Sequence, residues 1–245
     1  MIAAALIALA ALWAAGPAAA LDCRNMSHDG NRYTICEVDM ARDDLRLFLT
    51  GSDGAVLGQF STLDAELAKS GLRLTFAMNA GMYHRDRAPV GHFVDQGKER
   101  MRVITTPGPG NFGLLPNGVF CIRPGRADVF ETLEFVERGP DCTYATQSGP
   151  MLVIDGDLHP RFLVNSTSRY IRNGVGTSAD GRRAVFAISA SAVTFHEFGR
   201  LFRDGLDLPN ALYFDGNISR LYAPQIGRND PGFAMGPIVG TVAPR

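Results

Sequence analysis

The stretch AVFAISASAVTFHEFGRLFRDGLDLPNALYFD, residues 184–215, decides the fold. Residues 184–189 form a short apolar run. Phe195, Phe198, Leu201 and Phe202 then recur at helical spacing over 195–203, and 211–214 are apolar again before Asp215. Thr194 and Glu197 stand three residues apart, as in a capping box that starts a helix. Strand, helix and strand in this order predict a crossover unit. In α/β sheets ligands collect beyond the carboxyl ends of such strands, and Asp215 closes the second strand just before Gly216 and Asn217. Asn79 ends the run 72–78 in the same way, followed by Ala80-Gly81. A carboxylate and an amide beside glycines suit a polar ligand that approaches the backbone closely. Taken alone, Asp215-Gly216 reads equally well as a hairpin turn with 219–223 as its return strand.

Outward from this unit, short apolar or alternating runs bounded by Gly, Asp and Pro recur at 33–38, 45–49, 72–78, 119–122 and 151–154. Asp53-Gly54, Asp155-Gly156 and Asp180-Gly181 fall between such runs, where a left-handed turn is easiest to adopt, so their aspartates read as structural. A second helix is predicted near 62–69. No linker, repeat or low-complexity tract divides the chain after residue 21. The fold class is therefore α+β or mixed α/β: one strand-rich domain over 21–245, with a mixed β-sheet core and a few helices.

Residues 1–20 contain no Asp, Glu, Lys or Arg and end in Ala18-Ala19-Ala20, which reads as a signal peptide cleaved near Leu21 or Asp22. An uncleaved anchor is the other reading. A lipid anchor on Cys23 is disfavoured by the acidic Asp22 before it. Export implies a periplasmic or secreted protein, with no membrane partner after cleavage. The 24 Lys and Arg nearly balance the 25 Asp and Glu, so no global field gathers nucleic acid. Trp13 is the sole tryptophan, which leaves sugar stacking to Tyr or Phe. Four Cys in an oxidising compartment favour two disulfides over metal ligation or free thiols. Of three connectivities, Cys23–Cys36 with Cys121–Cys142 closes the shorter loops.

Several motifs fail on context. Gly108-Pro109-Gly110-Asn111-Phe112-Gly113 has the spacing of a dinucleotide loop, but Pro107, Pro109 and Pro116 preclude the helix that should follow. His84 and His92 match no zinc spacing, and Ser148 lacks the surroundings of a nucleophile elbow. No metal ligand set is assigned and no cofactor is predicted, although a divalent cation is left open.

Five segments in order resemble the phosphodiester glycosidase family, in an uncovering-enzyme-like, bacterial exported form. They are Asn79-Ala80-Gly81-Met82-Tyr83, Pro116-Asn117-Gly118-Val119-Phe120, Gln147-Ser148-Gly149-Pro150-Met151-Leu152, Arg172-Asn173-Gly174-Val175-Gly176 and Asn210-Ala211-Leu212-Tyr213-Phe214-Asp215-Gly216. The departure is at Asn217 and Ile218, where the family's Asp-Gly-Gly-Gly-Ser motif has two glycines. The resemblance implies an exported hydrolase that cuts the glycosidic bond of a sugar-1-phosphodiester, small or polymeric, releasing free sugar and a phosphate monoester. It implies Asp215 and Arg172 as catalytic groups, Asp215 as base or nucleophile or as a ligand of sugar hydroxyls, and Arg172 as a bidentate phosphate ligand, which without the resemblance reads equally well as half of a structural ion pair. Asn79, Gly81, Ser148, Gly149, Asn173, Gly216 and Ser219 are the implied substrate-binding residues. The second carboxylate of a glycosidase pair and the oligomeric state are not assigned. The alternatives are a non-catalytic periplasmic binder of glycan or phosphoglycan, and a phosphodiesterase that cuts the phosphorus–oxygen bond.

Overall fold

The computed structural model describes residues 21–245, so the signal peptide expected at 1–20 lies outside the described residues. In chain order the structure begins with β1 (Asp22–His28), β2 (Asn31–Asp39), β3 (Asp44–Phe48), α1 (Phe60–Ala68) and β4 (Leu72–Asn79). It continues through β5 (Phe93–Asp95), β6 (Lys98–Met101), β7 (Gly118–Arg123), β8 (Arg126–Glu131), α2 (Thr132–Arg138), β9 (Tyr144–Ser148), β10 (Met151–Ile154) and β11 (Asp157–Leu158). The last part holds β12 (Asn173–Thr177), β13 (Arg183–Ser189), α3 (Phe195–Arg200), β14 (Asn210–Asp215), β15 (Leu221–Ala223), β16 (Arg228–Asn229) and β17 (Ile238–Pro244).

These strands form three sheets: a seven-stranded one ordered β1-β2-β13-β12-β14-β10-β11, and two five-stranded ones ordered β16-β15-β4-β17-β3 and β6-β5-β9-β7-β8. Their ladders are antiparallel, which corrects the mixed sheet expected from the sequence. The crossover unit is present in a different form. β13 and β14 run parallel to each other, but β12 lies between them and pairs antiparallel with both.

The continuous apolar run of β13 arises from burial on both faces rather than from parallel pairing. Side chains alternate along a strand, so Phe186 and Ile188 enter the central core while Val185 and Ala187 face α3. Phe186 lies at the meeting of the three sheets, with Phe76 of β4 at 5.0 Å and Phe120 of β7 at 5.8 Å between ring centroids. Each such side chain contributes roughly 1.5–3 kcal/mol by leaving water. On the outer face Phe198, Leu201 and Phe202 pack over Tyr33, Ile35 and Tyr213. The Thr194–Glu197 capping box forms as expected, and after Arg200 the helix widens into a π-helical turn over Leu201–Gly205.

Asp155-Gly156 makes the two-residue turn between β10 and β11, with both residues at positive φ. Cys23 and Cys36 are bonded across paired positions of β1 and β2, and Cys121 is bonded to Cys142, the pairing preferred from loop length. No helix among the described residues is long and apolar enough to cross a membrane.

Candidate active site

The chain passes from one sheet to another at three of the segments singled out above. After Asn79 it leaves the β4 sheet for β5, after Ser148 it leaves the β9 sheet for β10, and after Asp215 it leaves the seven-stranded sheet for β15. The hairpin reading of Asp215-Gly216 is thereby overturned, because Leu221 and Tyr222 pair with β4 in another sheet. Strand ends at such passages have backbone groups that no ladder satisfies, and side-chain amides take them up here.

Asn79 and Asn173, both fully buried, form the floor. Asn79 Nδ2 donates to Asn173 Oδ1 (3.2 Å), and Asn173 Nδ2 donates to Asn79 Oδ1 (3.0 Å) and to the Asn79 carbonyl (3.0 Å). Two backbone donors complete the pair: Asp215 N–H on Asn173 Oδ1 (3.2 Å) and Arg220 N–H on Asn79 Oδ1 (3.0 Å). Ser219 Oγ lies 3.0 Å from the carbonyl oxygens of both Ile171 and Asp215, so its one proton serves the floor. The Ser148 hydroxyl is fully buried and donates to the Phe214 carbonyl (2.9 Å). Gly149 packs against Asn117, and Gly81 takes φ +145° beside Thr146.

Asp215 opens onto a cavity of about 780 Å³, which Asn79, Ser148, Asn173 and Ser219 do not line and which is within the range usual for small-molecule sites. Asp215 and Gly216 are the expected site residues that line it, and Asp215 is the only Asp or Glu on its wall among the described residues. Asp215 Oδ1 accepts the N–H groups of Gly216 (2.7 Å) and Asn217 (2.9 Å). Burial pushes its pKa up, and the neighbouring backbone donors only partly offset this.

Arg172 is fully buried directly behind the wall. Its Nε donates to the Val193 carbonyl (2.9 Å) and its Nη2 to the Ser168 carbonyl (3.1 Å), while Nη1 has no partner. One unpaired nitrogen remains in place of the bidentate fork expected from sequence. The guanidinium stacks on Phe195 at 3.6 Å, Phe195 stacks on Phe162 (5.2 Å), and Phe162 on His159 (4.8 Å). Burial lowers the Arg172 pKa, and the aromatic faces favour its charged form.

Four contributions were not visible in the sequence. Tyr213 lines the cavity two residues before Asp215 on β14, across a register shift that breaks the regular strand alternation. Arg87 lines the cavity from a turn closed by Arg87 N–H on the His84 carbonyl (2.9 Å), at φ +73° and over the Tyr83 ring (5.2 Å). The glycine-rich loop rejected as a dinucleotide site supplies wall residues Pro109 to Phe112, held by Asn117 Nδ2 on the Phe112 carbonyl (3.0 Å). Arg220 binds the carbonyls of Asp230 and Phe233 and thereby fixes the loop that presents Phe233 to the cavity. His84 is exposed, and His92 is bonded to the Met101 carbonyl. No group of three or more His, Cys, Asp or Glu placed to hold a metal occurs among the described residues.

The sequence pattern of the family described as phosphodiester glycosidase matches residues 73–240. The uncharacterized protein YigE of Escherichia coli (strain K12) is 31% identical over 185 residues, which cover 76% of this chain and 72% of YigE. The zebrafish N-acetylglucosamine-1-phosphodiester alpha-N-acetylglucosaminidase catalytic domain, solved in a form auto-inhibited by its pro-peptide, aligns with a TM-score of 0.60 at 13% identity. That alignment covers 90% of this chain and 81% of the zebrafish one, and it shows a shared fold. The matched residues span all three of these sheet passages, and the chain belongs to the phosphodiester glycosidase family.

Proposed function

We propose that this protein is an exported hydrolase that cleaves the bond between the anomeric carbon and oxygen of a sugar-1-phosphodiester. The observation that carries this reading is Asp215, a buried carboxylate with a raised pKa that, among the described residues, is the sole acid on the wall of a cavity sized for a sugar phosphate. A proton acceptor works best when its pKa lies near the working pH, and burial moves Asp215 in that direction. It acts on the attacking water or on the anomeric carbon itself. A phosphate leaves as a weakly basic anion, so the second carboxylate of an ordinary glycosidase is dispensable and a positive field matters more. Arg172 supplies that field. Tyr170 and Phe233, 48% and 78% exposed at the cavity, offer aromatic faces to the sugar.

The lone carboxylate also fits a binding protein that holds a sugar phosphate without turnover. Purified mature protein should be assayed against a panel of sugar-1-phosphodiesters, including α-N-acetylglucosamine and glucose forms, with free sugar as readout and Asp215→Asn as control. Release by wild type alone supports the glycosidase. Saturable binding without release supports the binder, and label from isotopic water entering phosphate rather than sugar points to a phosphodiesterase.

A further inference from the structure

Tyr213 is fully buried as a residue, yet its hydroxyl has no hydrogen bond of normal geometry, with the Arg172 guanidinium and the Asn111 side chain as its polar neighbours. A buried hydroxyl without a partner is costly, and native structures seldom keep one without use. Tyr213 lines the same cavity as Asp215. The ring is held edge-on against Phe195, with centroids 4.8 Å apart, and Arg172 Cζ lies 5.4 Å from its centroid. Arg172 Nη1, the other unpartnered donor of this wall, belongs to the same cluster. A side chain at residue 216 would put its Cβ 2.2 Å from the Tyr213 hydroxyl oxygen, so glycine at 216 leaves room for that oxygen.

We propose that Tyr213 is a catalytic residue of this site, its hydroxyl donating a hydrogen bond to the leaving phosphate oxygen where a two-carboxylate glycosidase would use its acid. This rests on the sugar-phosphodiester reading above. The bond from the anomeric carbon to oxygen breaks with its electron pair going to the phosphate. Water supplies the new hydroxyl of the sugar, and its proton passes to Asp215 and then to solvent. Burial and the Asp215 charge raise the Tyr213 pKa, so the phenol stays protonated and remains a donor through neutral pH. The cationic Arg172 behind it strengthens that donor.

The test is Tyr213→Phe, which removes one oxygen that has no hydrogen bond of normal geometry in the folded protein. Two properties are read: affinity for inorganic phosphate by calorimetry, and the urea midpoint without ligand. The expected result is phosphate binding weakened about tenfold or more, with the midpoint unchanged or raised. With a turned-over diester, kcat should also fall about a hundredfold, the usual effect of losing one such donor. Gly216→Ala, which crowds the same oxygen, should weaken phosphate binding in parallel. Undiminished phosphate binding by Tyr213→Phe, no phosphate binding by wild type, or a drop in the midpoint matching the loss of binding would overturn the proposal. Failure of wild type to release sugar would defeat the glycosidase reading alone, because the phosphate measurement does not depend on turnover.

Discussion

Asn79 and Asn173 bond to each other reciprocally through their side-chain amides, joining β4 of one sheet to β12 of another directly beneath Asp215. Each amide also takes a backbone N–H left over where the chain changes sheets. Asn173→Ala leaves the buried Asp215 N–H and the Asn79 Nδ2 unpaired, at about 1–3 kcal/mol for each such group. Urea unfolding should show this loss with an unchanged m value, and activity should fall as the Asp215 backbone shifts. A fully stable, fully active Asn173→Ala would show that the pair does not position the site.

Asp215 links stability to pH. Burial raises its pKa in the folded chain, so the folded state holds that proton more tightly than the unfolded state does. Its contribution is therefore fully present below the ordinary Asp pKa of about 3.9 and is lost as pH rises through the raised folded value. Asp215→Asn escapes that loss. Thermal melts should find the variant level with wild type in acid and more stable at neutral pH, while turnover falls about a hundredfold to ten-thousandfold. An Asp215→Asn protein less stable than wild type at neutral pH would contradict the sign.

Arg87 holds a left-handed backbone at φ +73° that glycine adopts freely and other residues adopt at a cost of about 1–3 kcal/mol. Arg87→Gly should therefore stabilise the fold slightly. The same change removes a cation from the cavity wall and should raise KM for an anionic substrate several-fold with little change in kcat. Parallel loss of stability and affinity would mean the arginine is structural.

The two disulfides close chain separations of 13 and 21 residues, worth about 3 kcal/mol each by loop entropy. Cys121→Ala with Cys142→Ala should lower Tm by about 6–12 °C for a chain of this size. A melt that is insensitive to both the substitution and reductant would contradict this expectation.

What could be read from the sequence follows from which interactions are local. The apolar run at 184–189, the Thr194–Glu197 cap and the Asp155-Gly156 turn depend on neighbours in the chain, and each took its expected form. β1 was not anticipated because Asp22–His28 is largely polar, and only its pairing with β2 and the disulfide define it. Strand direction was misjudged because an apolar run reports burial on two faces and carries no record of its partner's orientation. Asn79 and Asp215 were singled out from their places at strand ends. Their convergence depends on three sheet passages that no local pattern encodes. Tyr213 and Arg87 escaped notice because an unpartnered hydroxyl and a left-handed arginine become visible only in three dimensions.

The cavity wall also has an optical consequence. Tyr83, Tyr170 and Tyr213 are three of the six tyrosines in the chain, and all three line the cavity. Trp13 is the sole tryptophan, so the chain from Leu21 onward has no indole to capture their excitation. The buried Arg172 guanidinium lies 5.5 Å from the Tyr170 ring and 5.4 Å from the Tyr213 ring. An anion that draws on that charge changes the local field at two fluorophores at once, and occupancy is then readable as ultraviolet tyrosine emission from the unlabelled protein.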